Sequence, residues 1–186
     1  MLLNLRRAIL ASTVFFLVLG LAYGLAGTAV SQVLFPHQAN GSLTSYGSTL
    51  IGQNWPGPEW FQGRPSATVN AAGHADPYDA MASGAANLGP RSKALEEAVA
   101  RRAALLRKEG ITPTSGLVTS SGSGLDPDIS PGDAYAQVVA VARARHLQVA
   151  TVRAVVASHV VGPQLGFLGA PYVNVLALNV ALSRLG

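Results

Sequence analysis

A serine- and glycine-rich segment in the second half of the chain, Ser121-Gly122-Ser123-Gly124, is the strongest candidate for binding chemistry. Consecutive backbone N–H groups in such a turn can point at the oxygens of a phosphate. The segment lacks the GxxxxGK[ST] pattern of a P-loop, and no lysine is close enough in sequence to reach a phosphate. Two interpretations stay open, an anion site and a structural turn, and the pattern favours the turn.

Three carboxylates follow the turn, at Asp126, Asp128 and Asp133, and oxygen ligands of this kind suit a hard cation. The spacing does not match an EF-hand, which needs a glycine at loop position six and a glutamate at position twelve. Asp133 is better explained as a helix cap, because it stands three residues after Ser130. The sequence therefore predicts no metal site.

Hydrolase chemistry would need a nucleophile, a base within hydrogen-bond reach and an orienting acid. No G-x-S-x-G elbow is present, so we predict no catalytic residue. A membrane-tethered serine hydrolase and a small-ligand binding module remain as alternative functions. The hydrolase would have to be assembled from Ser121 or Ser123, Asp126 and one of the histidines His74, His146 and His159.

Arg64, followed by Pro65 and Ser66, is a candidate for contact with a partner protein. A guanidinium group can pair with a carboxylate through two parallel hydrogen bonds. A loop arginine that binds local carbonyl groups is an equally good interpretation. Gln53, upstream in the same polar region, is a further candidate for the interface.

Composition excludes several classes of protein. The chain has 186 residues and no cysteine, which excludes disulfides, thiolate zinc sites and cysteine nucleophiles. The net charge is +4, but Arg6 and Arg7 flank a hydrophobic segment, and beyond Pro36 only 11 basic residues face 9 acidic ones. This near balance is typical of a solvated surface, so we predict no nucleic-acid partner.

The N-terminal region predicts a membrane anchor. Residues Ala8 to Phe35 contain no charge and supply more than the ~20 apolar residues that a spanning helix needs. A cleaved signal peptide is the alternative, but its hydrophobic region is usually only ~7–15 residues long. Arg6 and Arg7 precede the span and no Lys or Arg follows it directly, so we expect the N-terminus in the cytoplasm.

We therefore predict an anchor over residues 1–36 and an extracytoplasmic accessory domain over 37–186. Gly20, Gly24 and Gly27 recur at a spacing that would let another membrane helix approach closely. Glycine is also simply common in membrane helices, and the pattern does not separate these interpretations.

Two helices are predicted in the outer domain. Residues Pro90 to Glu109 have an apolar face, and Gly110 ends the pattern. A second helix begins at Ser130, with Pro131 at its first position and a capping box to Asp133. The predicted buried faces are Leu95, Val99, Ala103 and Leu106 in the first helix and Ala134, Val138, Val141 and Ala142 in the second.

The remaining segments predict an α+β domain. Leu50 and Ile51 could begin a strand, and Leu117 to Ser121 are expected to form another. Val149 to His159 and Tyr172 to Leu185 have mixed patterns that favour helix. Asn54 to Gly89 is rich in proline, glycine and aromatic residues and predicts an ordered loop, whose length is typical of a functional surface.

Five segments, taken in order, resemble one known family. They are GSTLIGQ (47–53), FQGRPSA (61–67), NLGP (87–90), SGSGLDPDISP (121–131) and VNVLALNVAL (173–182). Together with the N-terminal span they are similar to the C subunits of the Kdp potassium-transporting P-type ATPases. The resemblance covers almost the whole chain, although Ala85-Ala86 replace a usual Gly-Ser pair and Asp128 replaces a frequent histidine.

This resemblance implies an accessory subunit in the inner membrane of a bacterium. Its partners would be a channel-like potassium-binding subunit and a P-type subunit that hydrolyses ATP. The family is described as a catalytic chaperone that raises the ATP affinity of the pump subunit. This implies ATP or a partner protein as the ligand of Ser121 to Gly124 and of Asp126. An extracytoplasmic domain could not meet cytoplasmic ATP, so we expect a role in assembly and at the outer ion entrance.

Overall fold

The computed structural model describes residues 1–185. Contacts between residues divide the chain into two units, Met1–Ser48 and Thr49–Gly186.

The first unit is dominated by a helix that runs continuously from Leu2 to Leu34. It comprises helix α1 (Leu2–Phe15), a π-helical stretch (Phe16–Ala22) and helix α2 (Tyr23–Leu34). None of its residues is buried, and its most apolar stretch of 18 residues has a mean hydropathy of 2.2. The predicted helix is confirmed as one that is long and apolar enough to cross a membrane.

Beyond this helix lie a single turn of helix, α3 (Pro36–Ala39), and a small hairpin. Its strands are β1 (Leu43–Thr44) and β2 (Gly47–Ser48), which pair antiparallel. The predicted strand at Leu50 and Ile51 is wrong. The chain turns there because the Gly52 N–H donates to the Leu125 carbonyl, 2.8 Å away, which pulls the backbone inward.

The second unit contains five helices among its described residues. They are α4 (Lys93–Lys108), α5 (Ser115–Val118), α6 (Pro131–Ala144), α7 (Val149–Ser158) and α8 (Val175–Ser183). The helices expected near 90–109, after Ser130 and at 149–159 are confirmed. The capping box forms as predicted, with the Ser130 hydroxyl accepting from Asp133 N at 3.1 Å and the Asp133 carboxylate accepting from Ser130 N at 3.2 Å.

A small antiparallel sheet packs on these helices. Its strands are β3 (Asp128–Ile129), β4 (Val160–Val161) and β5 (Tyr172–Asn174), with β5 in the centre. The prediction of helix from Tyr172 to Leu185 is therefore wrong for its first three residues. Val173 is buried between Ile129 and Val160 in the register of the sheet, and the Asn174 side chain then accepts from Ala177 N to start α8.

The predicted strand from Leu117 to Ser121 is also wrong. Its first residues belong to α5, a single helical turn. The Thr114 hydroxyl accepts from Leu117 N at 3.3 Å, and the Thr119 hydroxyl donates to the Ser115 carbonyl at 2.7 Å. These two local bonds close a turn that outweighs the strand preference of the β-branched residues.

The main core lies between α6, α7, α8 and the sheet. All four residues of the predicted buried face of α6 are buried, together with Val152, Val156, Leu178 and Leu182 from α7 and α8. Helix α4 contributes less than predicted. Ala103 is its only buried residue, and Leu95, Val99 and Leu106 are half-buried.

The segment from Asn54 to Gly89 contains no helix or named strand, as predicted. Phe61 is nevertheless fully buried in the core, so its peptide groups are removed from water. The Asn179 amide from α8 accepts from Phe61 N at 2.9 Å and donates to Phe61 O at 3.0 Å. The Gln137 amide from α6 does the same for Gln62, at 2.8 and 3.1 Å.

These two side chains, which we call the amide clamps, replace the hydrogen bonds that a neighbouring strand would supply. Both are fully buried. Unpaired peptide groups in a core cost free energy, so the clamps are what allow an irregular loop to enter the core.

We predict that Asn179→Leu destabilises the domain by about 2–5 kcal/mol, because it leaves both Phe61 peptide groups unpaired. Urea unfolding of the full-length chain in mild detergent would measure this. Tryptophan fluorescence is a suitable signal, since Trp55 and Trp60, the two tryptophans of the chain, both lie in the clamped loop.

Asn54→Leu is the matched control, because Asn54 is an exposed amide in the same loop. It should change the free energy of unfolding by less than about 0.5 kcal/mol. Equal stability of the two variants would contradict the role given to the clamp.

Candidate functional site

The Ser-Gly turn (Ser121–Gly124) packs against the irregular segment from Asn54 to Gly89, which we call the long loop. Gly124 is buried and has a φ of +71°, and its backbone lies against the Gly84 carbonyl and Thr68. The Ser123 carbonyl accepts from Gly84 N at 2.8 Å and from the Ser83 hydroxyl at 3.0 Å. The Ser123 hydroxyl accepts from Leu125 N at 3.1 Å. The turn is thus bonded both to the loop and to itself.

Ser121 differs from its neighbours in the turn. Its backbone N–H donates to the Pro65 carbonyl at 3.1 Å. The residue is 2 % exposed, and its buried hydroxyl has no hydrogen-bond partner among the described residues. It lies beside a groove of about 350 Å³ whose walls include Gly122 and Arg102 and are otherwise largely apolar.

Arg64 joins the loop to the turn from the other side. Its guanidinium group donates to the Asp126 carboxylate at 3.4 Å and to the Ser120 carbonyl at 3.3 Å. The side chains of this ion pair are 31 % and 30 % exposed. The single contact is longer than an ideal charge-assisted hydrogen bond, so it holds the two segments in place without the strength of a bidentate pair.

The other two residues of the predicted contact also face inward. The Ser66 hydroxyl accepts from Tyr78 N at 3.0 Å and shares a hydrogen bond of 2.9 Å with the Thr68 hydroxyl. Pro65 is bonded to Ser121 as described. Gln53 is half-buried beside Tyr78 and Asp126, which contribute to the same small cavity. The structure therefore brings Arg64 and Pro65 against the segment Ser120–Asp126 and places Gln53 beside Asp126. Ser66 is bonded within its own loop.

An acidic cleft of about 430 Å³ opens next to this cluster. Its charged lining consists of Arg64 and the three carboxylates Asp126, Asp128 and Asp133. Burial and the nearby charge of Asp126 raise the pKa of Asp128, against a smaller lowering by the hydrogen bond from Asn174. Burial, with Asp126 adding to it, raises the pKa of Tyr78 to about 12, so its hydroxyl stays protonated and donates to the Arg64 carbonyl at 2.6 Å.

The serines and histidines of the hydrolase alternative do not form a catalytic arrangement in the described residues. Neither the Ser121 nor the Ser123 hydroxyl is hydrogen-bonded to a histidine there. His159 Nδ1 instead lies 2.8 Å from the Val155 carbonyl at the end of α7. No group of three or more metal-ligating side chains was found in residues 1–185.

The small-residue stripe lies on the N-terminal helix. Gly20 is in the π-helical stretch, and Gly24 and Gly27 are in α2. A methyl group at Gly24 or Gly27 would meet nothing within 4 Å. These two positions are open to an approaching helix.

Sequence reasoning missed three residues on which this cluster depends: Asn179, Gln137 and Tyr78. A signal was present for Asn179, since it is a lone amide in an apolar helix and such a residue needs a buried partner. Gln137 stands in a similar position in α6. No local pattern marks Tyr78, whose partner Arg64 lies in another part of the loop.

Comparison with known proteins agrees with these features. The family model described as "KdpC: K+-transporting ATPase, c chain" matches residues 5–184. The chain belongs to the KdpC family.

Relatives of the same kind match along almost their whole length. The potassium-transporting ATPase KdpC subunit of Sorangium cellulosum is 50% identical, over 98% of each chain. That of Variovorax paradoxus is 48% identical over 96% of this chain and 94% of its own, and that of Gemmatimonas aurantiaca is 48% identical over 98% and 93%. The KdpC chain is thus a membrane-associated subunit of a potassium-transporting ATPase, in a complex with other Kdp subunits.

In this KdpC chain, Gly124→Ala should destabilise the domain by about 2–4 kcal/mol. The new methyl group would lie 2.6 Å from both the Gly84 carbonyl and the Thr68 side chain, at a φ that favours glycine. Gly122→Ala is the matched control, because nothing lies within 4 Å of its added methyl group. Urea unfolding compares them, and equal midpoints would contradict the packing described for the turn.

The raised pKa of Asp128 predicts a dependence of stability on pH. A carboxyl that holds its proton more tightly when folded favours folding below its ordinary pKa of about 3.9, and this contribution is lost as the pH rises through the folded value. Asp128→Asn cannot ionise and keeps an acceptor for Asn174. We expect the urea midpoint of Asp128→Asn, relative to that of the natural chain, to rise as the pH is raised from about 4 to about 7.

Asp76→Asn, at an exposed carboxyl, is the control for that series. Its difference from the natural chain should stay nearly constant across the same range. A gain for Asp128→Asn that does not change with pH would show that ionisation of this carboxyl is not involved.

Proposed function

We propose that this chain is a non-catalytic accessory subunit of an ATP-driven potassium importer, and that it acts by stabilising the assembled complex. Its domain, residues 37–186, lies outside the cytoplasm at the outer ion entrance. Its partners are the channel-like potassium-binding subunit and the P-type subunit that hydrolyses ATP.

The observation that carries this proposal is the internal bonding of the motif residues. Most hydrogen bonds of the motif residues are internal to the domain. Arg64 binds Asp126 and Ser120, Ser66 binds Tyr78, and Ser123 binds Ser83. A turn of this kind builds a rigid surface, and rigid surfaces bind partners at a smaller cost in conformational entropy. The described residues offer no bonded pair of nucleophile and base around this turn.

Charge asymmetry supports the proposed orientation. Arg6 and Arg7 lie at the start of the apolar helix, whereas residues 35–57 after it contain no Lys or Arg. The positive-inside rule keeps the arginine end in the cytoplasm. Cytoplasmic ATP would then be on the other side of the membrane from the domain.

A second candidate function is assistance in nucleotide binding. The observation that favours it is the unpaired Ser121 hydroxyl beside a groove to which Arg102 also contributes. A buried hydroxyl and a guanidinium group could both bind a phosphate. This role requires the domain to face the cytoplasm, so the orientation of the chain separates the two functions.

The absence of cysteine from the natural chain makes a direct test of orientation available. Leu105→Cys places one thiol on an exposed residue of α4, and Asn4→Cys places one before the span. We expect a membrane-impermeant maleimide to label Leu105→Cys in intact cells, and Asn4→Cys only after the membrane is permeabilised. The reverse pattern would overturn the proposed orientation.

The same cells test the function. With the natural chain deleted, we expect assembled, potassium-stimulated ATPase to be lost from the membranes, and either cysteine variant to restore it. Full potassium-stimulated activity in the deletion strain would overturn the proposed role.

A further inference from the structure

The loop between β4 and β5 carries a tip of apolar side chains that the domain does not cover. Leu165 is 83 % exposed, Phe167 is 75 % exposed and Leu168 is 49 % exposed. Single exposed apolar residues need no explanation, but a cluster of three within four positions is typical of an interaction surface.

Backbone hydrogen bonds close the tip into a tight turn. Gln164 and Leu168 exchange two backbone hydrogen bonds of 2.9 Å, and Phe167 N and Gly166 N donate to Gln164 O and Pro163 O at 3.2 and 3.1 Å. Leu165 has a φ of +53°, which is uncommon for a residue other than glycine. Gly166, also at a positive φ, completes the turn without such a cost.

This geometry keeps the large side chains presented to the outside. Leu165 is strained and mostly exposed, so it contributes little packing to its own domain, and a contact with another molecule explains it better. The ordered backbone also means that little conformational entropy remains to be lost on binding.

The charges around the tip decide between two kinds of partner. No charged residue occurs from Val160 to Ser183. Immediately after the tip, Ala170, Pro171 and Tyr172 line the acidic cleft, where three carboxylates face one guanidinium group. Membrane-surface segments usually pair apolar residues with Lys or Arg, which bind anionic lipids. The carboxylates of the cleft outnumber its guanidinium group, so the cleft is acidic on balance. Such a surface is repelled by anionic lipids and complements a basic protein surface.

We propose that the tip Leu165–Leu168 is a docking element that inserts into an apolar pocket, rimmed by Lys or Arg, on another protein subunit of the same ATPase. The acidic cleft beside it faces the basic rim of that pocket. Phe167 is the central anchor, since buried aromatic side chains carry much of the binding free energy in interfaces. This inference rests on the proposed accessory function and names the surface through which it acts.

The test uses the full chain in membranes that contain the whole complex. Leu165→Ser combined with Phe167→Ser should lower the amount of the other subunits that co-purifies with this chain by about tenfold or more. Higher ionic strength should also lower co-purification with the natural chain, because the proposed rim contact is electrostatic. Leu105→Ser is the control, since Leu105 is an isolated leucine that is 58 % exposed on α4, and co-purification should be unchanged.

Both changes are at exposed side chains, so the variants should fold, and the urea midpoint checks this. A second measurement identifies the partner without a loss of function. A photoreactive benzoylphenylalanine at position 167 should cross-link to a protein subunit of the complex. A cross-link to lipid alone would overturn the proposal. So would a double serine variant that co-purifies the other subunits in the same amount as the natural chain.

The outcomes also separate this inference from the proposed function. If the double variant assembles normally while deletion of the chain still abolishes the ATPase, the accessory role stands and the docking tip is wrong. If deletion leaves the ATPase intact, the accessory role itself fails.

Discussion

Two buried carboxamides, Asn179 and Gln137, are the interaction on which the rest of the domain depends. They bind the N–H and carbonyl groups of Phe61 and Gln62 and so pair a stretch of loop that no strand accompanies. An amide side chain has one acceptor and one donor end, like a peptide group, and can therefore replace a missing neighbour in a ladder. The cost of unpaired peptide groups in the core would otherwise exclude the loop from it.

Once Phe61 and Gln62 are fixed, the residues that follow them are fixed as well. Arg64 reaches the segment around Ser120 and Asp126, and Ser66 holds Tyr78. The five motif segments that resemble the family, although distant in sequence, include most of the residues of this one bonded assembly. The physical reason is that an irregular surface has no repeating ladder to define it. Each turn must instead be specified by its own side chains.

Local signals in the sequence accounted for the elements whose determinants are local. The apolar helix follows from its uncharged run, and α6 follows from the capping box of Ser130 and Asp133. The α+β class was predicted correctly, although both strands predicted in the outer domain were wrong and the three-stranded sheet forms elsewhere. The failures share a different cause. Tyr172 to Asn174 form a strand because Ile129 and Val160 lie on either side of Val173, and such pairing over many residues leaves no mark in the segment itself. Leu117 is helical because the hydroxyl groups of Thr114 and Thr119 close a local turn. The candidate site was predicted as a set of residues, but not as a packed cluster held by buried amides.

The strands of the three-stranded sheet are only two or three residues long. Strands β3 and β4 lie at its margins and leave few peptide groups free to recruit a further chain. A second copy of the same subunit therefore has few peptide groups with which to pair. Polymerisation by strand addition is disfavoured for this reason. Specific recognition must come from side chains, whose shape and charge distinguish one neighbour from another.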